Sequence, residues 1–132
     1  MVRLETQLMR HSYSGGSNYY QFGPGMMTPM VKALIWANVG VFLFTSLIPI
    51  AQGWLNHFLG LTPQFVFTRF MFWQPVTYLF LHAGVSHILI NMLILWMFGV
   101  QMERIWGSRF FLRYYFVTGI GAAIVTLLVS LL

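Results

Sequence analysis

Cysteine is absent from all 132 residues, and only two acidic side chains occur, Glu5 and Glu103. The first absence excludes disulfides, a thiolate nucleophile and Cys-ligated zinc or iron–sulfur clusters, while leaving the redox compartment undetermined. The second belongs to a wider shortage of charge. Only 7% of residues are charged and 58% are hydrophobic, whereas a solvated globular surface takes roughly 25% charged residues. A soluble domain is thereby excluded and a chain dissolved in lipid is expected. The formal charge of +5 rests on Arg3, Arg10, Lys32, Arg69, Arg104, Arg109 and Arg113. These are too few and too scattered to line a nucleic-acid groove, so they are read as topology signals and no nucleic acid is expected as a partner.

What is there is long apolar runs. Residues 1–30 come first, a polar segment containing HSYSGGSNYYQFGPGMMTP without helical or strand period, expected to be a flexible tail. It does not read as a signal peptide, because no small-residue cleavage site follows the first apolar run. Residues 33–51, ALIWANVGVFLFTSLIPIA, carry no charge and have about the ~20 residues that a helix needs to cross ~30 Å of hydrocarbon. Residues 86–100 and 110–132 are the second and third expected spans. Between the first two, residues 52–85 are rich in aromatics, broken by Pro63 and Pro75, and carry His57 and Arg69. Trp and Tyr favour the headgroup zone and a lone Arg can snorkel, so this stretch is expected to be an interfacial loop. The chain closes on VTLLVSLL with nothing to anchor that end in an interface, so it is expected to be the N-terminal part of a longer protein.

The basic residues assign an orientation. Arg3, Arg10 and Lys32 precede the first span and Arg104, Arg109 and Arg113 lie between the second and third, leaving Arg69 alone on the other side. A cytoplasmic N-terminus follows, and His87 then falls at the outer end of span two. His87 and Asn91, within HAGVSHILIN at residues 82–91, are one helical turn apart and point at one small volume. Both side chains donate hydrogen bonds, which suits a negatively charged oxygen formed transiently away from water. Ordinary hydrogen bonds between helices, worth about 0.6 kcal/mol each, explain the same spacing, and spacing alone leaves both readings standing. No metal site is expected: His82 and His87 are five apart, off a common helical face, no carboxylate lies within the spans, and Asn is a poor transition-metal ligand. Gly119 and Ala123 are expected to let span three approach a neighbouring helix closely. Asn38 is expected to hydrogen-bond between helices, and Glu103 with Arg104 to anchor the cytoplasmic end of span two.

The stretch WQPVTYLFLHAGVSHILINMLILWMFGVQMERIWGSRFF, residues 73–111, resembles the signature region of the rhomboid family of intramembrane serine proteases. His87 and Asn91 match its H-x-x-x-N, and His82, Gly99, Glu103, Arg104 and Gly107 match the flanks. Trp73 and Gln74 depart from the W-R dipeptide of some members. The resemblance implies an all-α membrane protein with three of an expected six or more transmembrane helices present. It also implies cleavage of transmembrane protein substrates, no cofactor, and an oxyanion-stabilising role for His87 and Asn91. The family's serine, in a G-x-S-G, and its histidine partner have no counterpart here. Ser17 in GGSN has Asn18 where glycine is required, and Ser86, Ser108 and Ser130 lack a glycine frame. The chain alone is therefore expected to be inert, with the missing C-terminal helices as partners in cis or in trans. The resemblance further implies a multi-pass protein, expected in a bacterial inner membrane. The alternative is an inactive rhomboid-like binding or assembly module; a haem-carrying or transport subunit would need more buried polar groups.

Overall fold

A computed structural model of the chain describes residues 23–132. Among them the regular structure is helical throughout: α1 (Pro29–Leu47), α2 (Pro49–Leu59), α3 (Pro63–Thr68), α4 (Gln74–Thr77), a 3₁₀ turn (Tyr78–Phe80), α5 (Val85–Trp106) and α6 (Ser108–Val129). By length and apolarity α1, α5 and α6 are each able to cross a membrane. The polar segment at residues 1–22 lies outside the described residues.

Helix α1 begins at Pro29, four residues before the expected Ala33, because its first turn has a partner distant in sequence. Proline at the first helical position has no N–H to leave unsatisfied. The next two N–H groups, of Met30 and Val31, donate to the Glu103 carboxylate from α5, at 3.1 and 3.0 Å. Thr28 Oγ1 donates to the same carboxylate, and Ser108 Oγ at the start of α6 does so at 2.6 Å. A negative charge at a helix N-terminus also meets the favourable end of the dipole. Glu103, 3% exposed, thus pins the start of α1, the last turns of α5 and the start of α6 at one end of the bundle. Beside it Arg104 donates to the Pro24 and Met26 carbonyls at 2.8 and 2.9 Å, holding the chain that leads into α1. The expected anchoring pair is therefore a tie between helices.

Val31, Leu34, Val100 and Phe111 form the core where the three long helices meet. Much of their remaining surface is apolar and exposed, as lipid-facing helices require: Leu47, Leu89, Phe98, Val117 and Val129 are among the exposed side chains. Helix α1 stops at Leu47 because Pro49 cannot continue it and itself starts α2. Helix α5 runs six residues past the expected end at Val100, and Gly107 (φ 80°) makes the turn into α6 in a conformation that side chains rarely adopt.

Five residues of α5, Leu95–Gly99, wind as a π-helical turn. The extra residue sets the following turns back by about 100°, so positions twelve apart across it come within about 20° of one face, where an unbroken α-helix would separate them by about 120°. Asn91 and Glu103 are such a pair, and the bulge lets one helix aim Asn91 and Glu103 into the same side of the bundle.

The segment expected to be an interfacial loop, residues 52–85, contains most of α2 together with α3 and α4. Gln74, fully buried, is their hub. Its Oε1 accepts the Thr62 N–H at 3.0 Å and its Nε2 donates to the His57 carbonyl at 3.2 Å. Trp73 Nε1 donates to the Phe58 carbonyl at 2.7 Å and Thr77 Oγ1 to that of Leu59 at 2.8 Å, so C-terminal carbonyls of α2 are satisfied by the residue that precedes α4 and by one within it. The dipeptide that departs from the W-R of some rhomboids is thus the clasp of this segment.

Candidate functional site

The segment from α4 to α5 carries the site into the body of the bundle. Tyr78 Oη donates to the Gly119 carbonyl at 2.7 Å, eleven residues into α6. That depth is about 16 Å along the helix, roughly half of its length. Leu79 follows Tyr78 into the space above Gly119, where a Cβ would stand 2.5 Å from Leu79 Cδ2. The small face expected on α6 therefore receives the 3₁₀ turn; farther along it Ala123 is fully buried. Burial raises the Tyr78 phenol above its ordinary pKa.

After this turn the chain reverses through His82 and Gly84 into α5. His87 sits in the first turn of α5 and is exposed, while Asn91, one turn on, is half-buried. Asn91 lines a cavity of about 280 Å³ together with His82, Tyr115 and the apolar side chains Leu79, Met92, Ile94 and Leu95. The His82 and His87 rings lie 5.2 Å apart, centroid to centroid, tilted by 61°. His82 and Asn91 thus share the cavity, with Tyr115 of α6 completing its wall, while His87 does not line it and lies against the His82 ring.

His82 is the most constrained member. Its Nδ1 is buried without a hydrogen-bond partner, the nearby Phe80 carbonyl lying outside hydrogen-bonding geometry. Burial pushes its pKa below the ordinary imidazole range, the neighbouring His87 acts in the same direction, and the Phe80 backbone opposes them. Neutral His82 is the favoured form.

Asn38, fully buried on α1, turns its Nδ2 to the Leu34 carbonyl of its own helix at 2.7 Å and leaves Oδ1 without a partner. The Tyr115 hydroxyl of α6 lies beside the Asn38 side chain, so the expected contact between helices is made there, outside the geometry of a full hydrogen bond. Neither His87 nor Asn91 makes a side-chain hydrogen bond to another helix among the described residues. Among the same residues no group of three His, Cys, Asp or Glu side chains gathers around a point.

The sequence alone singled out His87 and Asn91. Tyr115 and Leu79 escaped it, since nothing in a Tyr114/Tyr115 pair beside arginines distinguishes a cavity wall from an interfacial belt. His82 lies in the turn before α5, as its position ahead of the apolar run implies, and the fold of that turn back onto α5 leaves no periodic signal.

Three helices able to span a bilayer and an inserted segment reaching mid-helix point to an integral membrane protein whose helices enclose a cavity lined by His82, Asn91 and Tyr115. Residues 69–132 match the rhomboid domain. The rhomboid protease GluP of Bacillus subtilis is 38% identical over 58 residues, covering 44% of this chain and 11% of that protein. The chloroplastic rhomboid-like protein 16 of Arabidopsis thaliana is 28% identical over 100 residues, covering 72% of this chain and 29% of its own length. Rhomboid-like protease 3 of Toxoplasma gondii is 31% identical over 64 residues, covering 48% and 24%. The chain belongs to the rhomboid family, with the all-α membrane fold that the family resemblance implied. No solved structure matches it. The chain spans at most 29% of the length of these relatives. Their names include a chloroplastic member as well as a bacterial one, so membership selects no compartment.

Proposed function

We propose that this chain supplies the oxyanion-stabilising portion of a rhomboid-like intramembrane serine endopeptidase. His87 and Asn91 would donate to the negative oxygen of the tetrahedral intermediate while transmembrane protein substrates are cleaved. The nucleophilic serine and its histidine come from helices outside these residues, in cis or as a separate chain. One observation carries the reading: Asn91 opens onto a cavity that His82 also lines, with His87 one turn before it on α5 and no other helix among the described residues claiming the Asn91 hydrogen bonds. Donors preset at a water-poor site stabilise developing charge more than they do in water, and they need no reorganisation during the reaction. On this reading residues 1–30 form a cytoplasmic tail. The segment between α1 and α5 faces the opposite side, as the basic residues imply.

A fluorophosphonate probe tests the division of labour. The chain alone should remain unlabelled, because among the described residues no serine hydrogen-bonds to a histidine and Ser108 is committed to the Glu103 carboxylate. Labelling should appear when helices carrying a G-x-S-G and its histidine are joined or added, and should fall on the serine of that motif. Labelling of Ser86 or Ser108 in the chain alone would defeat the assignment, and a labelled but His87/Asn91-independent enzyme would reduce the patch to packing.

A further inference from the structure

We propose that the exposed face over the first two turns of α6 binds an anionic phospholipid, Arg109 and Arg113 holding its phosphate and the Trp106, Phe110 and Tyr114 rings seating the glycerol region beside it. Arg109 and Arg113 are both exposed and stand one helical turn apart, which puts their Cβ atoms about 5–6 Å from each other. Two cations so placed repel. No side chain of the described residues relieves the repulsion. Glu103 is the only acidic one among them, and it is buried and already accepts from Thr28, Met30, Val31 and Ser108. Arg104, at the same end of the bundle, spends donors on the Pro24 and Met26 carbonyls. The α6 pair is left for an anion from outside.

The surroundings favour a lipid over a soluble anion. The Trp106 ring meets Phe110 and Tyr114 edge-on, with centroids 5.3 Å away in each case and planes inclined by 72° and 65°. All three rings are exposed. Phe110 and Tyr114 each follow an arginine, so the aromatic row runs beside the cationic row over the same two turns, about 100° around the helix. Trp and Tyr favour the headgroup zone. Beyond Tyr114 the outward-facing side chains of α6 carry no charge, and Val117, Ile124, Val125 and Leu128 among them are apolar. Guanidinium, aromatic ring and hydrocarbon thus follow one another along the axis in the order of phosphate, glycerol ester and acyl chain. The planar fork of a guanidinium matches the unesterified oxygens of a phosphodiester. A net negative headgroup is preferred to a zwitterionic one, whose own cation would meet the arginines and the exposed Lys32 in the first turn of α1. This inference rests neither on the proteolytic reading nor on which side of the membrane this end faces.

The test is native mass spectrometry of the chain released from detergent micelles containing dioleoyl phosphatidylglycerol or dioleoyl phosphatidylcholine. Phosphatidylglycerol should remain bound in preference to phosphatidylcholine. Arg109→Gln and Arg113→Gln should each weaken its binding about fivefold, as expected for one basic residue at an anionic surface. Arg69→Gln, which removes a guanidinium lying over the Phe65 ring, should leave it unchanged. Glycerol phosphate in excess should fail to displace the lipid, because it has no acyl chains. On the unsubstituted chain, raising ammonium acetate should weaken phosphatidylglycerol more than phosphatidylcholine, a measurement that needs no variant. Equal retention of the two lipids, unchanged affinity in either α6 variant, an equal loss in Arg69→Gln, or displacement by glycerol phosphate would overturn the proposal. Loss of the preference once helices carrying the G-x-S-G are joined would overturn it too, and assign this face to helix packing.

Discussion

Replacing Glu103 by alanine should unfasten the end of the bundle at which all three long helices meet. Its carboxylate accepts from two backbone N–H groups at the start of α1 and from the hydroxyls of Thr28 and Ser108. The hydroxyls can turn to other acceptors, so their loss is small. The Val31 N–H cannot, because Val31 is fully buried. An orphaned buried donor costs about 1–3 kcal/mol, and the Met30 N–H, less buried, contributes at the low end. Loss of favourable charge at the α1 N-terminus adds about 0.3–1 kcal/mol. The total for Glu103→Ala is then about 2–5 kcal/mol. Glu103→Gln keeps a carbonyl oxygen for one N–H and should cost about half as much. Thr28→Val should cost about 1 kcal/mol in the intact protein and almost nothing in the Glu103→Ala background, since the shared acceptor has gone. Reversible unfolding in mixed micelles with increasing dodecyl sulfate, followed by circular dichroism, reads these differences. If Glu103→Ala unfolds within about 1 kcal/mol of the parent, or if the Thr28→Val penalty is undiminished in its background, the carboxylate is not the tie.

The other outcomes are more local. Gly119→Ala should destabilise by about 1–3 kcal/mol because its Cβ would stand 2.5 Å from Leu79 Cδ2, and Leu79→Ala should recover most of that loss in the double variant; additive losses would remove the 3₁₀ turn from the α6 surface. A tag at residue 1 should be protected from external protease in intact cells while a cysteine introduced at Asn56 reacts with an impermeant thiol reagent. Protection of both would reverse the assigned orientation.

How much of this was visible in the chain itself depends on the range of the interaction that decides each element. Apolar runs long enough to span a bilayer are a property of consecutive residues, and all three spans were legible from them. Their ends were not. Helix α1 starts at Pro29 because Glu103, more than seventy positions away, caps it, and no local pattern carries that information. The segment at residues 52–85 showed its prolines and aromatics, which mark breaks and interfaces. Its organisation around Gln74 needs side chains meeting backbone groups twelve and seventeen positions distant. The π-helical turn in α5 leaves no signature in LWMFG, yet it decides which side Glu103 faces. Asn91 and His87 were legible because a polar pair inside an apolar run stands out against its surroundings. The packing of His82 on His87 and the place of Tyr115 in the cavity wall were not, since a helical wheel says nothing about a loop that folds back or a helix that packs across.

The proposal that His87 and Asn91 stabilise an oxyanion meets its most direct test in Asn91→Ala, made in the enzyme completed with the serine-bearing helices and measured as turnover per folded molecule in detergent. An interaction made mainly in the transition state predicts a fall in kcat of ~10²- to 10³-fold, about 3–4 kcal/mol, with KM and unfolding stability nearly unchanged. Near-parental turnover together with about 1 kcal/mol of lost stability would contradict it and return the motif to helix packing.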